Sequence, residues 1–277
     1  MGHASRATLW VTRPGEEARR WAEALCQQGL PAVACPLIEI VTVEAPEALQ
    51  ALDAALQEAL DPRVHALMFV SANAVRAALQ RPLGKVLRQS HLLAWATGPG
   101  TRQALMEAGW PAERIEAPDD DAPQWDSEAL WTKVSSGFQD RMAQQMQAHR
   151  RPLAVLIVRG ADAQGQLAGR QWLAEQLQAA GAEVRQCIAY QRRVPDFAPD
   201  LARRMRAALH DGSWWLVSSS DAVQQWMQAW PDIDFSQARA LATHERIAAR
   251  LQALGWGRVE TVPAAMPAQV ESIKCLQ

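Results

Sequence analysis

The chain repeats itself, and that repetition limits its fold more than any other feature. Thr8-Leu9-Trp10-Val11-Thr12-Arg13 is followed by a helical stretch from Glu16 to Gln28, then Gly29, then an apolar run from Ala32 to Val43. The same order returns as Ala154-Val155-Leu156-Ile157-Val158-Arg159, a helical stretch from Gln166 to Ala179, Gly181, and the run Val184 to Tyr190. Ala66 to Val75 matches Trp214 to Val223, Leu105 to Trp110 matches Leu251 to Trp256, and Arg114 to Pro118 matches Arg258 to Pro263. Short helical patterns, Ser127 to Val134 and Ala268 to Leu276, close the two series. Residues of about 9–134 and 154–276 are therefore two copies of one pattern.

Each copy alternates short apolar runs with amphipathic helical stretches. Runs without polar alternation suit strands buried on both faces, and strand–helix alternation specifies a mostly parallel sheet with helices on both faces. Five strands per copy suggest a flavodoxin-like α/β unit. One feature resists a picture of two independent units. Val33 to Val43 and Val184 to Val194 are longer than ordinary strands, and Pro36 interrupts the first. Such segments are expected to leave one domain and enter the other as a two-stranded hinge, so that the N-terminal strand and helix pack with the C-terminal part of the chain. Ser135 to Pro152, polar and rich in Gln, reads as an exposed helix or loop insertion.

Composition narrows the function. The 277 residues are 49% hydrophobic and 21% charged, as in an ordinary globular protein of two domains. No apolar run is long enough to span a bilayer, and Met1 to Pro14 lacks a signal-peptide core, so a cytoplasmic location without membrane contact is expected. Cys26, Cys35, Cys187 and Cys275 form no CxxC pair and have no His at ligand spacing, which points to small buried hydrophobes with no metal and no disulfide. His3, His65, His91, His149 and His210 form no catalytic constellation and are expected at exposed or helix-end positions. The tryptophans, including Trp214-Trp215 on a strand, are expected in the core. With 28 basic and 30 acidic residues, a net charge of −2 gives no basic field for nucleic acid. An anionic ligand would have to be held by local donors. No GxGxxG or P-loop follows a strand, which disfavours a nucleotide enzyme.

Several motifs, in order, resemble one family. They are Val11-Thr12-Arg13-Pro14, Phe69-Val70-Ser71-Ala72-Asn73-Ala74-Val75, Gly98-Pro99-Gly100-Thr101, Asp126-Ser127-Glu128-Ala129-Leu130, Leu156-Ile157-Val158-Arg159-Gly160, and Tyr190 within Ile188-Ala189-Tyr190-Gln191-Arg192. Together they resemble the uroporphyrinogen-III synthase family along nearly the whole chain. The resemblance implies two flavodoxin-like parallel-sheet domains joined by a two-stranded β hinge, with the active site in the cleft between them. On this chain the domains would be residues 1–37 with 195–277, and 44–185, with 38–43 and 186–194 as hinge strands. It implies a monomer that uses no cofactor, and hydroxymethylbilane synthase, the preceding deaminase, as a transient partner. The implied reaction is dehydration and cyclisation of hydroxymethylbilane with inversion of its last pyrrole through a spiro intermediate.

That substrate carries eight carboxylates, and the turns at the C-terminal ends of parallel strands supply donors for them, because the first amides of a helix are unpaired and lie at the positive end of its dipole. Ser71, Ala72 and Asn73, Gly100 and Thr101, and Ser218, Ser219 and Ser220 occupy such turns and are candidate substrate-binding residues, although ordinary helix capping explains the same residue types. Arg13 and Arg159 hold equivalent places after the first strand of each copy and are candidate carboxylate clamps. Arg170 is a further candidate ligand, and Ala242-Thr243-His244-Glu245 replaces the Gly98 turn, with a glutamate that a polyanion would not favour. Tyr190, the only tyrosine, is the candidate general acid or donor at the departing hydroxyl. A non-catalytic two-domain binding protein closing over a small anionic ligand remains the rival reading.

Overall fold

The computed structural model describes residues 7–119, 124–162, 164–167, 171–263 and 265–276. His3 and Arg170 lie outside the described residues. The first copy supplies strands β1 (Leu9–Val11), β2 (Ala32–Ala34), β3 (Glu39–Thr42), β4 (Val64–Phe69), β5 (Leu93–Ala96) and β6 (Ile115–Glu116). The second supplies β7 (Ala154–Ala161), β8 (Glu183–Arg193), β9 (Trp214–Val217), β10 (Arg239–Ala242) and β11 (Arg258–Thr261).

The copies exchange halves. One sheet runs β11-β10-β9-β1-β2 and the other β3-β8-β7-β4-β5-β6. In the first, β1 pairs in parallel with β2 on one side and with β9, from the other copy, on its other side. In the second, β7 pairs in parallel with β8 and with β4. Labelled by position within the repeat, both sheets read 2-1-3-4-5, the flavodoxin-like order. β3 adds an edge beside β8. The chain accordingly divides into two compact units, one holding the residues up to Ile40 and from Arg193 onward, the other Val41–Arg192. The parallel-sheet α/β class and the crossing of the chain expected from the repeat are both present.

Pro36 explains why one of the two long runs breaks. Ala32 to Ala34 pair with β1, the segment around Pro36 is not strand, and Glu39 to Thr42 join the other sheet. The counterpart, β8, has no proline within it and continues through 11 residues.

Burial follows sheet position. All eight residues of β7, with neighbours on both sides, are buried, whereas the edge strand β2 is half-buried throughout. In the five-stranded sheet, alternate residues feed two separate clusters. Trp10, Trp215, Val217, Ala240 and Ala242 point to one face, where Trp226, Phe235 and Trp256 complete the packing. Leu9, Val11, Trp214, Leu216 and Leu241 point to the other, against Ala18, Ala22 and Leu25 of helix Gly15–Gln27. Trp10 stacks on Trp215 at 5.1 Å between ring centroids and Trp226 lies 4.8 Å from Trp215. Each such pair adds about 0.5–1.5 kcal/mol beyond area burial, so these tryptophans are core residues. The repeat shows in the helix ends too. Gly109 and Gly255 follow equivalent helices with φ of +81° and +86°, a conformation that side-chain-bearing residues rarely adopt.

Of the two readings for Ser135 to Pro152, the helix holds as far as Gln147, but it is continuous with the short helix expected before it: a single 21-residue helix, Ser127–Gln147, runs through Gly137. Leu130, Val134, Phe138 and Met142, spaced by four, are all buried in one cluster with Trp95, Val155 and Ile157. Four anchors of that kind outweigh the roughly 1 kcal/mol cost of an internal glycine. The cysteines split as well. Cys35 and Cys187 are buried, and burial pushes both thiols up to about 12, but Cys26 and Cys275 are exposed and are not core hydrophobes.

His65 is also not the exposed histidine expected. It sits on β4 with its ring 5.5 Å from Phe138 and 6.0 Å from Trp95. Burial, then the charges of Arg141 and His91, push it down to about 4. An unfolded histidine titrates near 6.5, so between those values the unfolded chain binds the extra proton. Stability is intact above pH 6.5 and falls as acid is added, by roughly 3 kcal/mol at the lower end of the window. Urea denaturation across pH 7.5 to 4.5 should show this limb, and His65→Leu should flatten it. An unchanged slope in the variant would remove His65 as its cause.

Candidate functional site

In the six-stranded sheet the C-terminal ends of β4, β5, β7 and β8 surround a pocket of about 260 Å³. Its apolar wall is Met68, Val70, Ile157, Leu173 and Trp125, and its polar groups come from Thr97, Asp126, Ser127, Arg159, Tyr190 and Arg192.

Tyr190 owes its place to an irregularity in β8. Arg159 pairs with Ile188 but Gly160 pairs with Tyr190, so Ala189 is an extra residue in the ladder. A bulge of this kind re-aims the side chain that follows it. The re-aimed ring lies directly on Gly160. A Cβ there would stand 2.4 Å from Cε2 and 2.5 Å from Cζ of Tyr190. The ring is 1% exposed, and only its hydroxyl end carries polar contacts. Ser71 Oγ donates to Tyr190 Oη at 3.1 Å and Arg192 Nη2 donates at 3.3 Å. Ser71 is held in turn as the N-cap of helix Ala72–Leu79, where its Oγ accepts from the Ala74 amide at 3.2 Å. Capping and site contact thus reside in one side chain, and the two explanations that the sequence left open for Ser71 both apply.

Arg159 is deeply placed, 2% exposed, and its Nη1 donates to Gln186 Oε1 at 2.7 Å and to Gln171 Oε1 at 3.2 Å. Burial pulls its guanidinium below the ordinary range, the negative form of Tyr190 opposes that pull, and the charge of Arg192 adds to it. The structure therefore brings Ser71 to the phenol oxygen of Tyr190 and places Arg159 on the wall of the same pocket. Ala72 and Asn73 open the helix that Ser71 caps. Gly100 and Thr101 lie in the first turn of helix Pro99–Glu107, Gly100 exposed and Thr101 buried, and neither lines the pocket. Thr97, at the end of β5, does line it, with its Oγ1 donating to Val70 O at 3.3 Å.

The other candidates lie in the five-stranded unit. Ser219 caps helix Ser220–Ala229 by accepting from the Ala222 amide at 3.3 Å, with Ser218 before it and Ser220 as its first residue. Arg13 contrasts with its sequence equivalent. It pairs with Glu17 at 2.6 Å, stacks with Cζ 3.7 Å from the centre of the Trp21 ring, and keeps a buried Nε without a partner. In the turn that replaces the Gly98 sequence, His244 caps helix Glu245–Ala253 through Nδ1, which accepts from the Arg246 amide at 3.0 Å. Glu245 is exposed at that helix's first position, where the dipole favours an acid. Among the described residues no three His, Cys, Asp or Glu side chains group as metal ligands.

The reading from sequence missed Gly160, Thr97 and Arg192. Gly160 stood in a quoted motif, yet only the paired strand shows that a ring needs the space. Gly160→Ala should displace that ring, and if the ring takes part in the chemistry, a shift of about 1 Å should cut turnover on the order of 100-fold. Steady-state assay beside a thermal melt checks it, with activity lost well before stability. An unimpaired Gly160→Ala would show that the ring's position is unimportant.

A family profile described as uroporphyrinogen-III synthase HemD matches residues 19–268. Among solved structures, uroporphyrinogen-III synthetase from Helicobacter pylori superposes with a TM-score of 0.57 at 15% identity, over 98% of this chain and 100% of that one. A mutant uroporphyrinogen III synthase from the extremely thermophilic bacterium Thermus thermophilus gives 0.55 at 15% identity, over 97% and 98%. At such identities the superpositions speak for the fold, and the profile speaks for the family. The profile match over most of the chain sets aside the non-catalytic binding protein, and the chain belongs to the uroporphyrinogen-III synthase family, whose members cyclise hydroxymethylbilane.

Proposed function

We propose that the pocket beside Tyr190 receives the hydroxymethyl end of hydroxymethylbilane and that Tyr190 is the acid for its dehydration. One observation carries the reading: the only phenol in the chain is packed on Gly160 and bonded through its hydroxyl to Ser71, at the wall of a pocket that Arg159 also lines. The steps balance without an external reagent. The first pyrrole pushes its nitrogen lone pair towards the methylene carbon, the C–O bond breaks, and the phenol proton leaves with the hydroxyl as water. The substituted carbon of the last pyrrole attacks the resulting azafulvene cation to give the spiro intermediate. Fragmentation and reclosure turn that ring over, and the proton lost as it regains aromaticity returns to Tyr190. No cofactor enters, since electron-rich pyrroles supply the driving electrons. Holding the chain ends so that inversion precedes simple closure is the protein's main contribution.

The carboxylates of the substrate are assigned to local donors. Ala72 and Asn73 offer first-turn amides above the Ser71 cap, Gly100 offers one in its helix beside Thr101, whose own amide donates to Gly98 O, and Ser218, Ser219 and Ser220 are assigned the same part in the other unit. Arg159 adds charge to the pocket wall, and Arg13 to the turn after β1. The enzyme is proposed to act as a cytoplasmic monomer that takes its labile substrate from hydroxymethylbilane synthase by transient contact. Among the described residues no helix is long and apolar enough to cross a membrane.

The test is incubation with fresh hydroxymethylbilane and no added cofactor, followed by oxidation and separation of the uroporphyrin isomers. Isomer III should dominate, and Tyr190→Phe should lower its rate of formation by about 100-fold, the lower end of general-acid effects. An undiminished rate in Tyr190→Phe would remove the phenol from the mechanism.

A further inference from the structure

Beyond the groups already given a part in binding or catalysis, Arg192 is the one cation that directly bonds the phenol oxygen among the described contacts. It is exposed at the end of β8, two residues beyond Tyr190, lines the same pocket, and its Cζ lies 5.8 Å from the centre of the Tyr190 ring.

The hydrogen bonds at that oxygen limit where its proton can point. A guanidinium only donates, so Tyr190 Oη accepts from Arg192. Ser71 Oγ accepts from the Ala74 amide and lies 3.1 Å from Oη, so either hydroxyl of that pair can be the donor. With Ser71 as donor, both lone pairs of the phenol oxygen are occupied, and its proton is directed at the pocket.

We infer that Arg192 is a positioning residue for the dehydration: with Ser71 it orients the Tyr190 proton towards the departing hydroxyl, and it holds the phenolate that forms when that proton leaves. This rests on Tyr190 being the acid. A bond from a cation to a neutral phenol becomes a bond between opposite charges as the C–O bond breaks, which adds a Coulomb attraction that the ground state lacks. The interaction thus strengthens along the reaction coordinate, the condition for raising turnover and not merely affinity. When the last ring regains aromaticity, its proton returns to the phenolate and the bond relaxes to its starting form.

The competing role for an exposed arginine on this pocket is a clamp on a substrate carboxylate. A clamp acts on ground state and transition state alike, and its loss appears in KM. Arg192→Gln should instead lower kcat for isomer III about 10-fold with KM within about two-fold, less than the roughly 100-fold or more that loss of a water-excluded donor costs, because Arg192 is exposed. Arg192→Lys, which keeps the charge, should recover part of the loss. In a Tyr190→Phe background, Arg192→Gln should cost nothing further, because the group it serves is gone. Circular dichroism and a thermal melt check folding; an exposed strand-end side chain should leave both unchanged.

A KM effect with kcat intact would assign Arg192 to carboxylate binding and overturn the inference. So would a full additional loss in the Tyr190→Phe background, while leaving Tyr190 as the acid. If Tyr190→Phe alone turns over normally, the reading of Tyr190 fails first, and the role of Arg192 fails with it.

Discussion

Everything in this protein depends on the double pairing of one strand in each sheet. β1 has only three residues, and its neighbours β2 and β9 come from opposite ends of the chain. β7 is in the same position between β8 and β4. A strand buried on both faces exposes its backbone edge groups to no water, so each must find partners on both sides. Because the partners are divided between the copies, neither half of the sequence completes a sheet. The two sheets are therefore closed by exchange, at the cost of ordering a chain whose contacting segments are more than two hundred residues apart, as in the bond from Thr12 Oγ1 to Leu216 O.

The same arrangement places the chemistry. Parallel strands deliver their C-terminal ends, and the helix N-termini that follow, to one edge of each sheet. Ser71 and Ser219 are equivalents in the repeat, and each caps its helix in the same way, accepting from the amide three residues on. Yet the two edges are not chemically alike. Arg159 is buried beside Gln186 and Gln171, whereas Arg13 is tied to Glu17 and Trp21 of the helix that follows it. Duplication supplied the frame, and divergence concentrated the phenol and its donors in one unit.

Position within the frame also separates side chains that composition treats alike. Of the four cysteines, the two on or beside strands are buried and the two near helix ends are exposed. His65 is neutral at ordinary pH because β4 carries it beneath Phe138 and Trp95, whereas His244 is an exposed cap. Residue type alone does not distinguish these cases, since burial is a property of neighbours brought from elsewhere in the chain.

The repeat, read as letters, was enough to specify parallel α/β units and the approximate strands and helix ends, because hydrophobic period and Gly punctuation are local signals, whereas the two long runs only raised the exchange of halves that the family resemblance implied. Tyr190 and Ser71 were also visible as candidates. The long helix through Gly137 was not, for its stability lies in Leu130, Val134, Phe138 and Met142 meeting Trp95 and Ile157 from other strands. Nor was the bulge at Ala189, which depends on how β8 aligns with β7 and cannot be read from either strand alone. That one-residue shift sets Tyr190 over Gly160 and its hydroxyl between Ser71 and Arg192. Sequence therefore determined which residues were available, and the register between paired strands decided which of them meet, because a one-residue slip redirects every side chain beyond it.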